Sequence, residues 1–205
     1  MNKIRGGETM LKDLYNKQVS SSDSVLLTAP IGDEKREVLD EKKHWRIIDK
    51  IIYPDGTQKV IEHINTVVDD CSKLIACLMK GQAEYKGITY WAVGSGAKTW
   101  DNTNPPEPTV GDTKLFNETY RKAINPSDIT FLDSNDKPTT SVTNKLQISV
   151  TFTESEANGE LREFGLFGGN ATAIKDSGIM INRKTHGLIY KTSGMRLERI
   201  IRIVF

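Results

Sequence analysis

The strongest constraint in this chain is a period of two in its apolar residues. Ile148, Val150 and Phe152 alternate with Gln147, Ser149, Thr151 and Thr153. Near the C-terminus, Leu197, Arg199, Ile201, Ile203 and Phe205 share one face, with Arg196, Glu198, Ile200, Arg202 and Val204 on the other. Side chains alternate across a strand, so this pattern specifies half-buried antiparallel sheet rather than helix. Further strand patterns run over 88–93, 129–132, 161–167, 179–182 and 188–191. Ile148, Val150, Phe152, Leu161, Phe164, Leu166 and Ile201 are the expected core.

Upstream, Trp45 to Tyr53 reads as a strand, Pro54-Asp55-Gly56-Thr57 as a turn and Gln58 to Ile64 as the returning strand. A turn centred on Asp55-Gly56 sets His63 opposite Ile48. An amphipathic helix is expected next, capped at Asn65 or Thr66 and closed by Gly81, with Val67, Val68, Cys71, Leu74, Ile75 and Leu78 on one face. Asp112 to Ala123 reads as a second, short helix. Residues 1–43 lack a periodic core: Met10 to Val19 reads as a short helix with Leu11, Leu14 and Tyr15 on one face, and a short apolar segment from Val25 to Pro30 precedes a charged run from Asp33 to Lys43. That composition is compatible with docking onto another chain and equally with disorder. The expected fold class is therefore α+β. An extended arm (1–43) leads into a β-hairpin with an amphipathic helix (44–81), followed by an antiparallel, sandwich-like β domain (82–205).

Charge narrows the function classes. The chain has 205 residues with 28 Lys+Arg against 27 Asp+Glu, a formal net charge of +1. Binding nucleic acid by bulk charge needs a basic excess that is missing here. No apolar run approaches the roughly 20 residues of a membrane-crossing helix. Cys71 and Cys77 fall on different faces of a helix and lack the closer Cys or His spacing of a metal site, so both read as ordinary buried thiols.

Catalytic patterns are weak. Val93-Gly94-Ser95-Gly96 is followed by a proline-rich loop, not by the Gly-Lys-Ser/Thr and helix of a phosphate-binding loop. His44, His63 and His186 form no zinc-binding pair, and no Gly-x-Ser-x-Gly elbow occurs. Glu154, Glu156, Glu160 and Glu163 surround Asn158-Gly159, where a wet hairpin turn is the expected source of the acidity rather than paired-carboxylate chemistry. No cofactor and no metal is expected, and no enzymatic role. Arg196, Glu198, Arg199 and Arg202 on the last strand fit either charges paired across a sheet or a strand that pairs with a neighbouring subunit.

The order of motifs carries a resemblance. Residues 88–96 (Ile-Thr-Tyr-Trp-Ala-Val-Gly-Ser-Gly) precede the proline-rich loop and Arg121-Lys122-Ala123-Ile124. Then come Phe152-Thr153-Glu154-Ser155-Glu156-Ala157-Asn158-Gly159-Glu160-Leu161-Arg162-Glu163-Phe164-Gly165-Leu166-Phe167-Gly168, Gly178-Ile179-Met180-Ile181-Asn182-Arg183 and the closing segment from Met195 to Phe205. Across roughly residues 65–205 this order resembles small structural proteins of bacteriophage tails and of phage-derived particles such as tailocins, in the baseplate and tail-fibre region. The resemblance implies a virion structural protein made in the bacterial host cytoplasm. Its implied partners are copies of itself, other baseplate subunits and a tail fibre, with neither nucleic-acid binding nor membrane insertion. Aromatic and arginine anchors dominate such interfaces, which makes Trp45, Tyr53, Trp91, Trp100, Arg196, Arg199 and Arg202 the expected contact residues. The alternative is a receptor- or glycan-binding module, with Trp100, Asp101, Asn102, Asn104 and Glu107 as a shallow sugar site.

Overall fold

The computed structural model describes residues 25–26 and 46–205. Apart from Val25–Leu26, the expected arm lies outside the described residues, as do His44 and Trp45. The strands are β1 (Val25–Leu26), β2 (Arg46–Ile52), β3 (Gln58–Ile64), β4 (Thr66–Val67), β5 (Lys86–Gly94) and β6 (Glu118–Ala123). They continue with β7 (Ile129–Leu132), β8 (Pro138–Thr139), β9 (Lys145–Phe152), β10 (Gly159–Gly169), β11 (Ile179–Lys191) and β12 (Arg196–Val204). One α-helix, α1 (Asp70–Met79), occurs among the described residues.

All strand pairings are antiparallel and make two sheets, ordered β1-β3-β2-β12-β9-β7-β8 and β4-β11-β10-β5-β6. One hydrophobic cluster joins their facing sides. It takes Ile47, Ile51, Ile148, Val150, Phe152, Leu197, Ile201 and Ile203 from the first sheet, and Trp91, Val93, Leu161, Phe164, Leu166, Ile181 and Ile189 from the second. All seven expected core residues are buried. A smaller cluster of Val68, Ala92, Leu115, Phe167 and Met180 lies apart from it.

Several expectations are corrected. The hairpin of β2 and β3 closes through a five-residue loop, Tyr53 to Thr57, in which Thr57 N–H and Oγ1 both donate to Asp55 Oδ1. That odd-length loop moves the register by one, so His63 faces Ile47 rather than Ile48. A one-residue slip exchanges the faces of a strand, and His63 is accordingly buried. The helix starts later than expected. Thr66 and Val67 pair with β11, and the next two amides donate to the carbonyls of Ile181 and Val110, so the sheet holds this backbone first. Within α1, Cys71 and Leu74 are buried, whereas Ile75 and Leu78 are not.

No helix forms at 112–123. The Asp112 carboxylate binds Thr109 N–H and Oγ1, and residues 118–123 are β6, at the edge of the second sheet. The patterns at 179–182 and 188–191 belong to a single 13-residue strand. Asn158-Gly159 does not turn a hairpin, because β9 and β10 belong to different sheets and the segment crosses between them. Finally, β12 is not a free strand. It bonds β2 on one side and β9 on the other, so no neighbouring subunit can add to it.

Candidate functional site

Of the expected contact residues, Trp91 and Arg199 are fully buried in the chain's own core and have no surface to offer a partner. Trp91 packs against Phe164, ring centroids 5.6 Å apart. Tyr53 is half-buried against the main cluster. Arg196 is exposed, 3.9 Å from Glu154. Arg202 Nε donates to Gln147 Oε1 at 3.0 Å across the β12–β9 ladder, and Lys50 lies 3.9 Å from Glu198 across β2–β12. These outward charges of β12 are paired across the sheet. Arg199, on the apolar face, is the exception.

Arg199 anchors a charged cluster between the sheets. Its Nη2 lies 3.0 Å from Asp49 Oδ2, and the two residues are direct cross-strand partners on β12 and β2. The same Nη2 lies 2.8 Å from His186 Nε2, from β11 of the opposite sheet. His63 Nε2 on β3 is 3.6 Å from Asp49 Oδ2. The guanidinium also stacks 4.2 Å from the Phe164 ring centroid. All four polar side chains are buried. Burial alone would raise the Asp49 carboxyl, but Arg199 and His63 beside it bring it below the usual carboxylate range. The sequence marks His63 and His186 only as isolated histidines. The register slip in the hairpin brings His63 inward, and the sheet packing supplies the rest.

A second buried carboxylate organises the loop between β5 and β6. Glu163 accepts the amides of Gly96, Phe116 and Asn117 at 3.2, 2.8–2.9 Å, together with Arg183 Nη2 at 2.7 Å. Arg183 Nη1 reaches on to Asp112 at 2.7 Å. Arg162 holds Asn102 Oδ1 and the Ser95 carbonyl, and Thr185 Oγ1 donates to the Pro106 carbonyl. Polar groups on β10 and β11 thus fasten the whole proline-rich loop, which is why both faces of these strands are buried. Gly96 sits at positive φ, +63°, where a Cβ would come 2.3 Å from the Trp100 ring. The glycine makes a tight exit from β5.

This fastening uses up most of the expected sugar site. Asp101 Oδ1 accepts the amides of Thr103 and Asn104, Asn102 is bound to Arg162, and Glu107 lies 3.5 Å from Lys184. Trp100 stacks beside Phe116, centroids 5.4 Å apart, with the Phe116 side exposed. The acidic segment does not converge either. Glu156 binds Lys122, Tyr120 and Thr153, Glu160 binds Arg162, and Glu163 is buried in its own network. Cys71 and Cys77 are free thiols; Cys71 is buried, which pushes its thiol up, whereas Cys77, expected to be buried too, is only half-buried.

The described surface carries a shallow open depression along the β6 edge, lined by Glu118, Thr119, Tyr120, Arg121, Ala173 and Lys175. It also carries an apolar stripe on α1, where Ile75, Leu78 and Met79 are 40%, 41% and 85% exposed at helical spacing. Among the described residues no group of His, Cys, Asp and Glu is placed to hold a metal ion, and no helix is long and apolar enough to cross a membrane. No protein-family model and no curated protein matches the chain.

Proposed function

We propose that this protein is a structural component of a phage tail or phage tail-like particle, at the baseplate or tail-fibre attachment region. It works by assembly with copies of itself and with neighbouring tail proteins, and not by catalysis. Many modest contacts in a symmetric array give such a component its avidity. The observation that carries the reading is where the resembling segments lie. They supply β5, the end of β6, β10 and the start of β11, which are neighbours in the second sheet, and β12 at the centre of the first, so the resemblance falls on strands of both facing sheets.

Two surface features support an assembly role. The stripe of Ile75, Leu78 and Met79 leaves three apolar side chains exposed on one face of α1. At the sheet margins, β1, β4 and β8 are two residues long, whereas β6 presents six residues at an edge. Short edge strands protect against strand addition, and β6 lacks that protection. With β12 enclosed, an assembly contact by strand addition belongs to β6.

The test is mass photometry of the full-length protein beside a chain beginning at His44, with mass spectrometry of gradient-purified particles from the producing cells. The chain is expected among the particle proteins. A defined oligomer of the full-length protein, lost on truncation, assigns assembly to the arm, whereas absence from purified particles defeats the reading. The second reading, a receptor- or glycan-binding module, draws on the exposed Phe116 ring beside Trp100. A specific glycan-array signal abolished by Trp100→Ala would favour it.

A further inference from the structure

The hydrogen bonds around His186 fix its protonation state. Its Nδ1 lies 2.8 Å from the Gly187 carbonyl oxygen, which can only accept, so Nδ1 carries the hydrogen. Its Nε2 lies 2.8 Å from Arg199 Nη2, which can only donate, so Nε2 is bare. The imidazole is therefore neutral, and its lone pair holds a guanidinium that reaches across from the opposite sheet.

A proton arriving at Nε2 would remove that acceptor and place a second cation against Arg199. The charged and titratable groups facing His186 are Arg199 on β12, Asp49 on β2 and His63 on β3, its ring centroid 5.9 Å away. Phe164 of β10 covers it at 5.8 Å and offers no counter-charge. Asp49 is already shared between Arg199 and His63. Asp49 Oδ1 and Arg199 Nε and Nη1 make no hydrogen bond among the described residues, so the cluster is only partly satisfied there. Partly satisfied buried networks are the ones that added charge disrupts most.

We propose that Asp49, His63, His186 and Arg199 form an acid-labile latch between the two sheets. It stays closed while His186 is neutral and opens when His186 takes a proton. Burial, and then the Arg199 charge, push the His186 imidazole down to about 3, so the closed form resists protonation and acid selects the open form. Asp49, held below the usual carboxylate range, keeps its charge throughout the relevant window. The latch is independent of the assembly reading. It makes the contact of β11 with β12 and β2 responsive to acidification.

The size of the response follows from linkage. If the open form binds its proton at the ordinary histidine value of about 6.5, lowering the pH from about 7.5 to about 5 raises the opening equilibrium by about thirtyfold. Hydrogen exchange on the full-length protein reads this directly, after correction for the intrinsic pH dependence of exchange. Amides of 183–189 and 197–201 are expected to lose protection by about thirtyfold, whether by local or global opening. His186→Gln keeps an acceptor for Arg199 but cannot charge, and is expected to lose most of that response. An unchanged acid response in this variant would overturn the proposal. A second measurement, ring-nitrogen NMR of the unaltered protein, does not depend on the variant folding. A neutral ring with hydrogen on Nδ1 at pH 7 supports the latch, and an imidazolium or the opposite tautomer there refutes it.

Discussion

Glu163 and Arg183 meet across the β10–β11 ladder, with one carboxylate oxygen 2.7 Å from Nη2 and 3.2 Å from Nε of the same guanidinium. The carboxylate is buried, and its remaining capacity is filled by three amides of the loop between β5 and β6. Removing either partner leaves the other charge buried, which costs about 3–5 kcal/mol. Glu163→Ala should therefore lower the unfolding midpoint strongly. It should also open residues 95–117 to limited proteolysis at temperatures where the parent protein resists.

Arg199 and Asp49 test a different property of buried pairs. Arg199→Met leaves the Asp49 carboxylate without its main counter-charge, and should cost about 3–5 kcal/mol in urea denaturation. Replacing both groups, Asp49→Leu with Arg199→Met, should recover most of that loss, because apolar side chains of similar size often substitute for a buried ion pair at little cost. A double variant no more stable than the single one would show that the pair stabilises beyond its own neutralisation.

The Glu156 carboxyl gives a second pH dependence at lower pH. Burial opposes its ionisation, but hydrogen bonds from Lys122 and Thr153 and the Lys122 charge outweigh this and bring it down to about 2. A folded value below the unfolded one near 4.5 means that the stabilisation is complete above that value and fades as the pH falls toward about 2. The urea midpoint should fall between pH 5 and pH 2.5, and Glu156→Gln should flatten this part of the profile.

Glycine positions separate space from conformation. A Cβ on Gly168 would come 2.2 Å from the Gly87 carbonyl oxygen and 2.8 Å from Leu74, so Gly168→Ala has to part β10 from β5. A loss of several kcal/mol is expected by thermal melting, at the severe end for point changes. Gly111 has nothing within 4 Å and no positive φ, and Gly111→Ala should leave the midpoint within about 0.5 kcal/mol.

What was legible in the sequence follows its periodicity. The period-two stretches at 145–152 and 196–204 are strands, and their inward apolar members, Ile148, Val150, Phe152, Leu197, Ile201 and Ile203, are buried, because alternation and burial are the same physical fact in a half-covered sheet. The helix expected at 112–123 illustrates the opposite case. Leu115, Phe116, Thr119 and Tyr120 have helical spacing, yet Glu163, 46 and 47 residues on in sequence, captures the amides of Asn117 and Phe116 and leads the chain into an edge strand. The charged cluster was illegible for a related reason. His63 turns inward because of a one-residue difference in loop length, and Arg183, Lys184, Thr185 and His186 interrupt the apolar pattern of β11 although all four are buried. Their partners come from distant parts of the chain, so local pattern reads them as a loop.

The stripe on α1 can be altered without touching the core. Cys71 and Leu74 face the core, and Ile75, Leu78 and Met79 face outward, so polar substitution of the outer set leaves the core contacts intact. Leu78→Lys with Met79→Lys should change the thermal midpoint little, since surface changes away from special features stay within about 0.5 kcal/mol. The two added charges would, however, sit in the middle of any apolar contact made by this face, where an unpaired charge is strongly unfavourable. If the stripe is an assembly surface, the doubly substituted protein should lose the oligomers of the parent in mass photometry while keeping its circular dichroism spectrum. If oligomers persist unchanged, assembly runs through other surfaces, and the β6 edge becomes the one to block, with Ala123→Pro as the variant.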